Sequence, residues 1–200
     1  GIKTFDAFVE EERKAIKDEK KFFGVALGLS RELVSIVESA HQAGIVLMDF
    51  KGSNVMMFGT SGKWKAIDLD SSLRVNTELS NPVYKDLTVT KDYLAPELSK
   101  GSWDALVATP SMDVWSLGIM LLGLFKGPEL RTIHGIKSLD QLASYDQKDL
   151  DDPLVGLINK VFTDHKFVKD AILGCLQIDP RKRKTATEIY DLITCVDLSS

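Results

Sequence analysis

The stretch from Met112 to Phe125 sets the terms for any fold this chain can adopt. Val114, Trp115, Leu117, Ile119, Met120, Leu121, Leu122, Leu124 and Phe125 leave hardly a polar face, so a helix built from them must be surrounded by the rest of the protein. Its fourteen residues fall short of the roughly 20 that a membrane span needs, and no membrane insertion is expected. Thr109-Pro110 supplies an N-cap and a first-turn proline to start it. Asp113 is the exception within the run: a carboxylate entering a core has to be met by donors, unless it faces solvent at the helix start.

What surrounds that helix has to come from the remaining chain. Two hundred residues, 44% of them apolar, suffice for one domain over 1–200 with a real core. Residues 4 to 16 read as a short amphipathic helix, with Phe5, Phe8 and Val9 on one side and a solvated charged run from Glu10 to Lys14 on the other. A longer helix spans about Asp18 to Ala43, with Phe22, Ala26, Leu29, Leu33, Ile36, Val37 and Ala40 at helical spacing and Gly44 placed to end it. His41 in its last turn is expected to be a surface histidine tolerated by the helix dipole. Leu154 to Phe162 suggests another short helix, and Phe167, Ala171, Ile172, Cys175 and Leu176 a further amphipathic one that must stop before Pro180. Thr185-x-x-Glu188 is a capping box opening the last helix, with Ile189, Leu192, Ile193 and Val196 inward.

The small net charge of −4 argues against a nucleic-acid partner. Cys175 and Cys195 are too few for a disulfide framework or thiolate cluster, and read as reduced, partly buried thiols. With no signal peptide at Gly1-Ile2-Lys3, an intracellular, cytoplasmic setting is expected.

The chemistry-bearing stretch is Ile45 to Asp70, which reads strand, loop, strand, tight turn, strand. Ile45-Val46-Leu47 is apolar; Asp49, Lys51 and Asn54 are spaced through the next residues; Val55 to Phe58 is apolar again. Gly59-Thr60-Ser61-Gly62 reads as a turn. Lys63-Trp64-Lys65-Ala66-Ile67 then alternates like a half-buried strand and delivers Asp68 at its end. Two carboxylates, an amide and an ammonium are thus brought towards one place. Such a set suits phosphoryl transfer, where catalysis is mostly positioning and electrostatic stabilisation and where Mg²⁺ prefers oxygen ligands.

In these residues the chain resembles the protein kinases. Val46-Leu47-Met48-Asp49-Phe50-Lys51-Gly52-Ser53-Asn54 is similar to the catalytic loop H-R-D-x-K-x-x-N, and Asp68-Leu69-Asp70 to the metal-binding D-F-G. Thr90-Lys91-Asp92-Tyr93-Leu94-Ala95-Pro96-Glu97 resembles the end of the activation segment, with Val89 where the family has glycine. Asp113-Val114-Trp115-Ser116-Leu117-Gly118 resembles the central-helix motif, and Asp179-Pro180-Arg181-Lys182-Arg183-Lys184-Thr185-Ala186 the D-P-x-x-R-x-T-A stretch. The resemblance implies Asp49 as catalytic base, Lys51 steadying the γ-phosphate of ATP, Asn54 and Asp68 on Mg²⁺, and Thr90 bridging Asp49 and Lys51. It also implies Asp113 holding the catalytic-loop backbone and a Glu97–Arg183 pair, while Arg181, Lys182 and Lys184 read as surface cations.

The resemblance covers the whole chain but only the larger lobe of a kinase. The fold it implies is mainly α: a kinase-like C-terminal lobe, a helical bundle around a buried central helix, with short β-hairpins carrying the catalytic loop. With the other lobe counted the class becomes α+β. No glycine-rich loop and no V-A-I-K strand precedes the first helix, so the expectation is a lobe cut from a longer Ser/Thr-type kinase. Its partners would be its own N-terminal lobe and a protein substrate. The alternative is a pseudokinase lobe serving as a binding or regulatory module. Three departures bear on the choice: Leu47 for histidine, Met48 for the arginine that binds a loop phosphate in many relatives, and Asp70 for glycine. Leu69 to Leu94 reads as a long loop whose hydroxyls, Ser71, Ser72, Thr77, Ser80, Tyr84 and Thr88, are expected to be solvated.

Overall fold

A computed structural model describes residues 3–59, 62–80, 87, 89–99, 103, 105–126 and 165–195. The central helix is present as α4, Pro110–Lys126. Every residue from Met112 to Leu122 in it is buried, which is what a helix apolar all round requires. The elements before it are β1 (Lys3–Thr4), α1 (Phe5–Ala15), α2 (Glu19–Gln42), β2 (Ile45–Val46), β3 (Val55–Phe58), β4 (Lys63–Ala66), β5 (Leu73–Arg74) and α3 (Pro96–Ser99). After it come α5 (Lys166–Cys175) and α6 (Ala186–Thr194). Among the described residues the architecture is mainly helical, as expected from the sequence. The expected helix over 154–162, the stretch 128–153 and Val196 lie outside the described residues.

Helix ends follow from local chemistry. The Thr4 side chain caps α1, Asp18 caps α2, and Thr185 with Glu188 forms a complete capping box on α6. Gly44, at φ +73°, turns the chain out of α2 and leads straight into β2.

Helix α2 packs against α4 and α6, and α4 against α5. At Gly118 a Cβ would lie 2.6 Å from Cys175 Cβ and 2.8 Å from Leu176 Cδ2; the missing side chain is what lets α4 and α5 come this close. A three-stranded antiparallel sheet in the order β1-β3-β4 pairs Val55 with Ala66 and Met57 with both Trp64 and Lys3. Its Trp64 stands edge-on to Phe5 and Phe8 at 5.4 and 5.3 Å, tying the sheet to α1.

Several expectations are corrected. The long loop after Asp68 contains β5, which pairs Leu73 with Val46 and Arg74 with Ile45; backbone pairing with a partner strand specifies it, not its own two residues. Beyond β5, Asn76 N donates to Ala108 O at 2.8 Å, Ala108 N to Thr77 O at 2.8 Å and Leu79 N to Leu106 O at 2.9 Å. The segment is thereby pinned to the strand-like approach to α4. As a result Ser71, Ser72, Thr77 and Ser80 are half-buried rather than solvated, and the Ser72 hydroxyl is enclosed without a partner. Tyr84 and Thr88 lie outside the described residues. On α5, Val168 faces the core and Phe167 is exposed, because Val168, Ala171, Ile172 and Cys175 make the narrower stripe that fits against α4. Cys175 is buried, and burial pushes its thiol pKa far up against a smaller opposing pull from Arg183; Cys195 is exposed, since α6 ends beside it.

Candidate active site

The site is assembled from the loop between β2 and β3, the end of β4 and the segment before α3. Lys51 lies between Asp49 and Thr90: its Nζ donates to Asp49 Oδ2 and to Thr90 Oγ1, both at 2.6 Å. Thr90 N donates to the other carboxylate oxygen, Asp49 Oδ1, at 2.9 Å. Asn54 Nδ2 donates to the Asp49 carbonyl at 3.1 Å and to Oδ2 at 3.2 Å. Asp49 is thus held by three separate donors with its side chain 9% exposed, while the Lys51 side chain, at 20%, reaches the surface. Carboxylates fixed by charged donors in this way keep one geometry.

Asp68 reaches the same region through the backbone. Ile67 N donates to Asn54 O at 2.9 Å, extending the β3–β4 pairing by one step, so the next residue emerges beside Asn54. Asp68 has φ +56°, a left-handed conformation uncommon for a non-glycine residue and often found at functional positions. Its side chain is exposed, as are Leu69 and Asp70. With the amide nitrogen of Asn54 committed to Asp49, the Asn54 oxygen and the Asp68 carboxylate are the oxygen donors that would hold a cation here. An oxygen-only donor pair of this kind fits a hard divalent cation.

Support comes from α4. The wholly buried Asp113 accepts from Leu47 N at 2.7 Å and Met48 N at 2.9 Å, and His41 Nε2 lies 3.0 Å from its Oδ2. Met48 is held at φ +64° by these contacts. His41 therefore is not the surface histidine expected from its place in the last turn of α2; its side chain is 12% exposed and turned to Asp113. Its partner is 72 residues away, so no local pattern could have revealed the contact. The nearest signal was Leu47, whose apolar side chain left the Asp113 environment short of a polar group.

Arg183 and Glu97 form a bidentate pair at 2.8 and 2.7 Å, with side chains 0% and 13% exposed. Arg183 also donates to the carbonyls of Gln177 and Ser111 at 2.7 and 2.9 Å and lies 5.2 Å from the Trp115 ring centroid. Arg181 stays outside and pairs with Asp179 instead. The segment between Thr90 and Glu97 is thereby fixed at both ends, and Ser116 Oγ donates to Tyr93 O at 2.8 Å in between.

Comparison with known proteins points to one family. The family model described as the protein kinase domain matches residues 7–192. Among similar proteins, serine/threonine-protein kinase dst2 of Dictyostelium discoideum is 31% identical over 173 residues, 80% of this chain and 13% of that protein. Calcium-dependent protein kinase 27 of Oryza sativa subsp. japonica is 28% identical over 192 residues, 94% and 28% of the two chains. Putative cyclin-dependent kinase F-2 of the same organism is 39% identical over 116 residues, 57% and 32%. The chain thus spans less than a third of the length of each of these relatives. With the family model matching nearly its full length, the chain belongs to the protein kinase domain family.

Proposed function

We propose that this chain is the C-terminal lobe, a single unit over 1–200, of a Ser/Thr-type protein kinase acting in the cytoplasm. It would transfer the γ-phosphoryl group of ATP to a protein hydroxyl. The observation that carries the reading is the Asp49–Lys51–Thr90–Asn54 cluster, because a structural role alone gives no reason to hold a carboxylate this tightly at a surface opening. In the transfer, the substrate hydroxyl gives its proton to Asp49 as its oxygen bonds to the γ-phosphorus, and the bond from that phosphorus to the bridging oxygen breaks to release ADP. Lys51 offsets charge on the moving phosphoryl oxygens, and Thr90 keeps Lys51 and Asp49 in register. Asn54 and Asp68 would hold Mg²⁺, which when bound neutralises charge on the phosphates. An N-terminal lobe of the parent chain would cover the ATP phosphates.

The pseudokinase reading has one observation in its favour. Asp70 puts a second exposed carboxylate next to Asp68, adding charge at the cation position. Calorimetry of ATP binding to the full-length protein, with and without Mg²⁺, separates the two. Catalysis requires Mg²⁺-dependent binding that Asp68→Ala weakens; binding indifferent to metal, or none, favours the binding module.

A further inference from the structure

The link from Asp68 to Ser72 joins the end of β4 to β5, and both of its ends are tied down. Ile67 N donates to Asn54 O at 2.9 Å on one side, and Leu73 pairs with Val46 on the other. Between them the chain closes one tight turn. Ser72 N donates to Leu69 O at 2.9 Å, with Asp70 and Ser71 as the central residues. Neither has a positive φ, which leaves the type I class of hydrogen-bonded turn. That class requires no glycine, and short polar residues suit it. Asp70, standing where the resemblance has glycine, is therefore unstrained.

The strain lies two residues earlier. Asp68 is at φ +56°, where a residue with a side chain stays only if its surroundings over-determine it. Those surroundings are the Ile67 hydrogen bond before it and the Leu69–Ser72 turn after it. Once the turn opens, Asp68 is free to relax to a negative φ, and its exposed carboxylate leaves the place beside Asn54. Among the described residues no ion pair holds that carboxylate back. Its position thus depends on turn closure, and closure depends on how many conformations residue 70 reaches in the open state. A glycine there reaches positive as well as negative φ. A residue with a Cβ reaches fewer, so the open state loses entropy and the closed one gains population.

We propose that Asp70 is a positioning residue for the cation site: by its Cβ rather than its charge, it keeps the Leu69–Ser72 turn closed and the Asp68 carboxylate beside Asn54. The word cation rests on the kinase reading, but the turn can be tested apart from it. The comparison is Asp70→Gly against Asp70→Ala in the full-length protein, two variants that both lack the charge and differ by one methyl group. Hydrogen exchange at the Ser72 amide, the donor of the turn, should be about two- to fivefold faster in the glycine variant. Calorimetry of ATP at stepped Mg²⁺ concentrations should show the half-saturating Mg²⁺ raised by a similar factor. Single-turnover transfer at saturating Mg²⁺ should be the same in both, since bound metal closes the turn. Equal exchange in the two variants overturns the proposal, and so does faster exchange with an unchanged Mg²⁺ dependence, which would make the turn structural only. If ATP binds to neither variant nor to the parent at any Mg²⁺ concentration, the kinase reading fails and the exchange ratio alone decides the turn: about two- to fivefold supports it, and a ratio of one overturns it.

Discussion

Arg183 shows how one residue is committed by its surroundings. Its guanidinium is fully buried and meets a bidentate carboxylate, two carbonyls at under 3 Å and an aromatic face. Removing it would leave Glu97 nearly buried without a cation, a loss of about 3–5 kcal/mol for a buried pair against at most about 1 kcal/mol for an exposed one. Thermal or denaturant unfolding of Arg183→Ala is expected to show the larger loss; a negligible shift would mean the pair is solvated. Residues of this kind were legible in the sequence where a motif surrounded them. Asp113 was suspect because it entered an apolar run, and its contacts with Leu47 and Met48 answer the need for donors. His41 was not legible, since its role depends on a distant partner; nor was the seating of Asp6 of α1 against Gly52, where a Cβ would stand 1.8 Å from Asp6 Oδ1. Phe167 was misplaced because its hydrophobicity says nothing about which neighbouring stripe fits α4.

Elements add constraints that single residues do not carry. Helices α4 and α5 approach through Gly118, so Gly118→Ala forces either the helices or Cys175 and Leu176 to shift. Overpacking of this kind costs about 1–3 kcal/mol, and chemical denaturation should show a fall in midpoint of that size; no change would mean the interface can give way freely. The activation segment is the second case. Met48 is buried and its thioether can make no bidentate bond to a phosphate, while backbone pairing of Asn76, Thr77 and Leu79 with Leu106 and Ala108 already holds the segment. The full-length protein treated with phosphatase, with the loop verified as unmodified by mass spectrometry, is therefore expected to keep its rate. Loss of activity restored by phosphorylation within the segment would show that another cation takes the missing arginine's place. The spans of α1, α2 and α6 were readable from periodicity and caps; the short α3 was not, nor were β1 and β5, two residues each, because their pairing partners define them.

In the whole molecule, α4 is the common support. It holds the catalytic loop through Asp113 and the Tyr93 carbonyl through Ser116, and gives Arg183 the Trp115 face. The groups proposed to react sit at the rim of this support, where Asp49 is fixed and the Lys51 side chain reaches solvent. Composition gave the size of the core but not this convergence, which needs the motifs in order along the chain. The direct test is phosphoryl transfer by the full-length protein carrying Asp49→Asn, an isosteric change that removes the proton acceptor. Single-turnover kinetics beside calorimetry of Mg²⁺-ATP should show transfer lowered roughly 10²–10⁴-fold with nucleotide affinity nearly unchanged. Transfer retained within a few fold of the parent would contradict the assignment of Asp49 as the base.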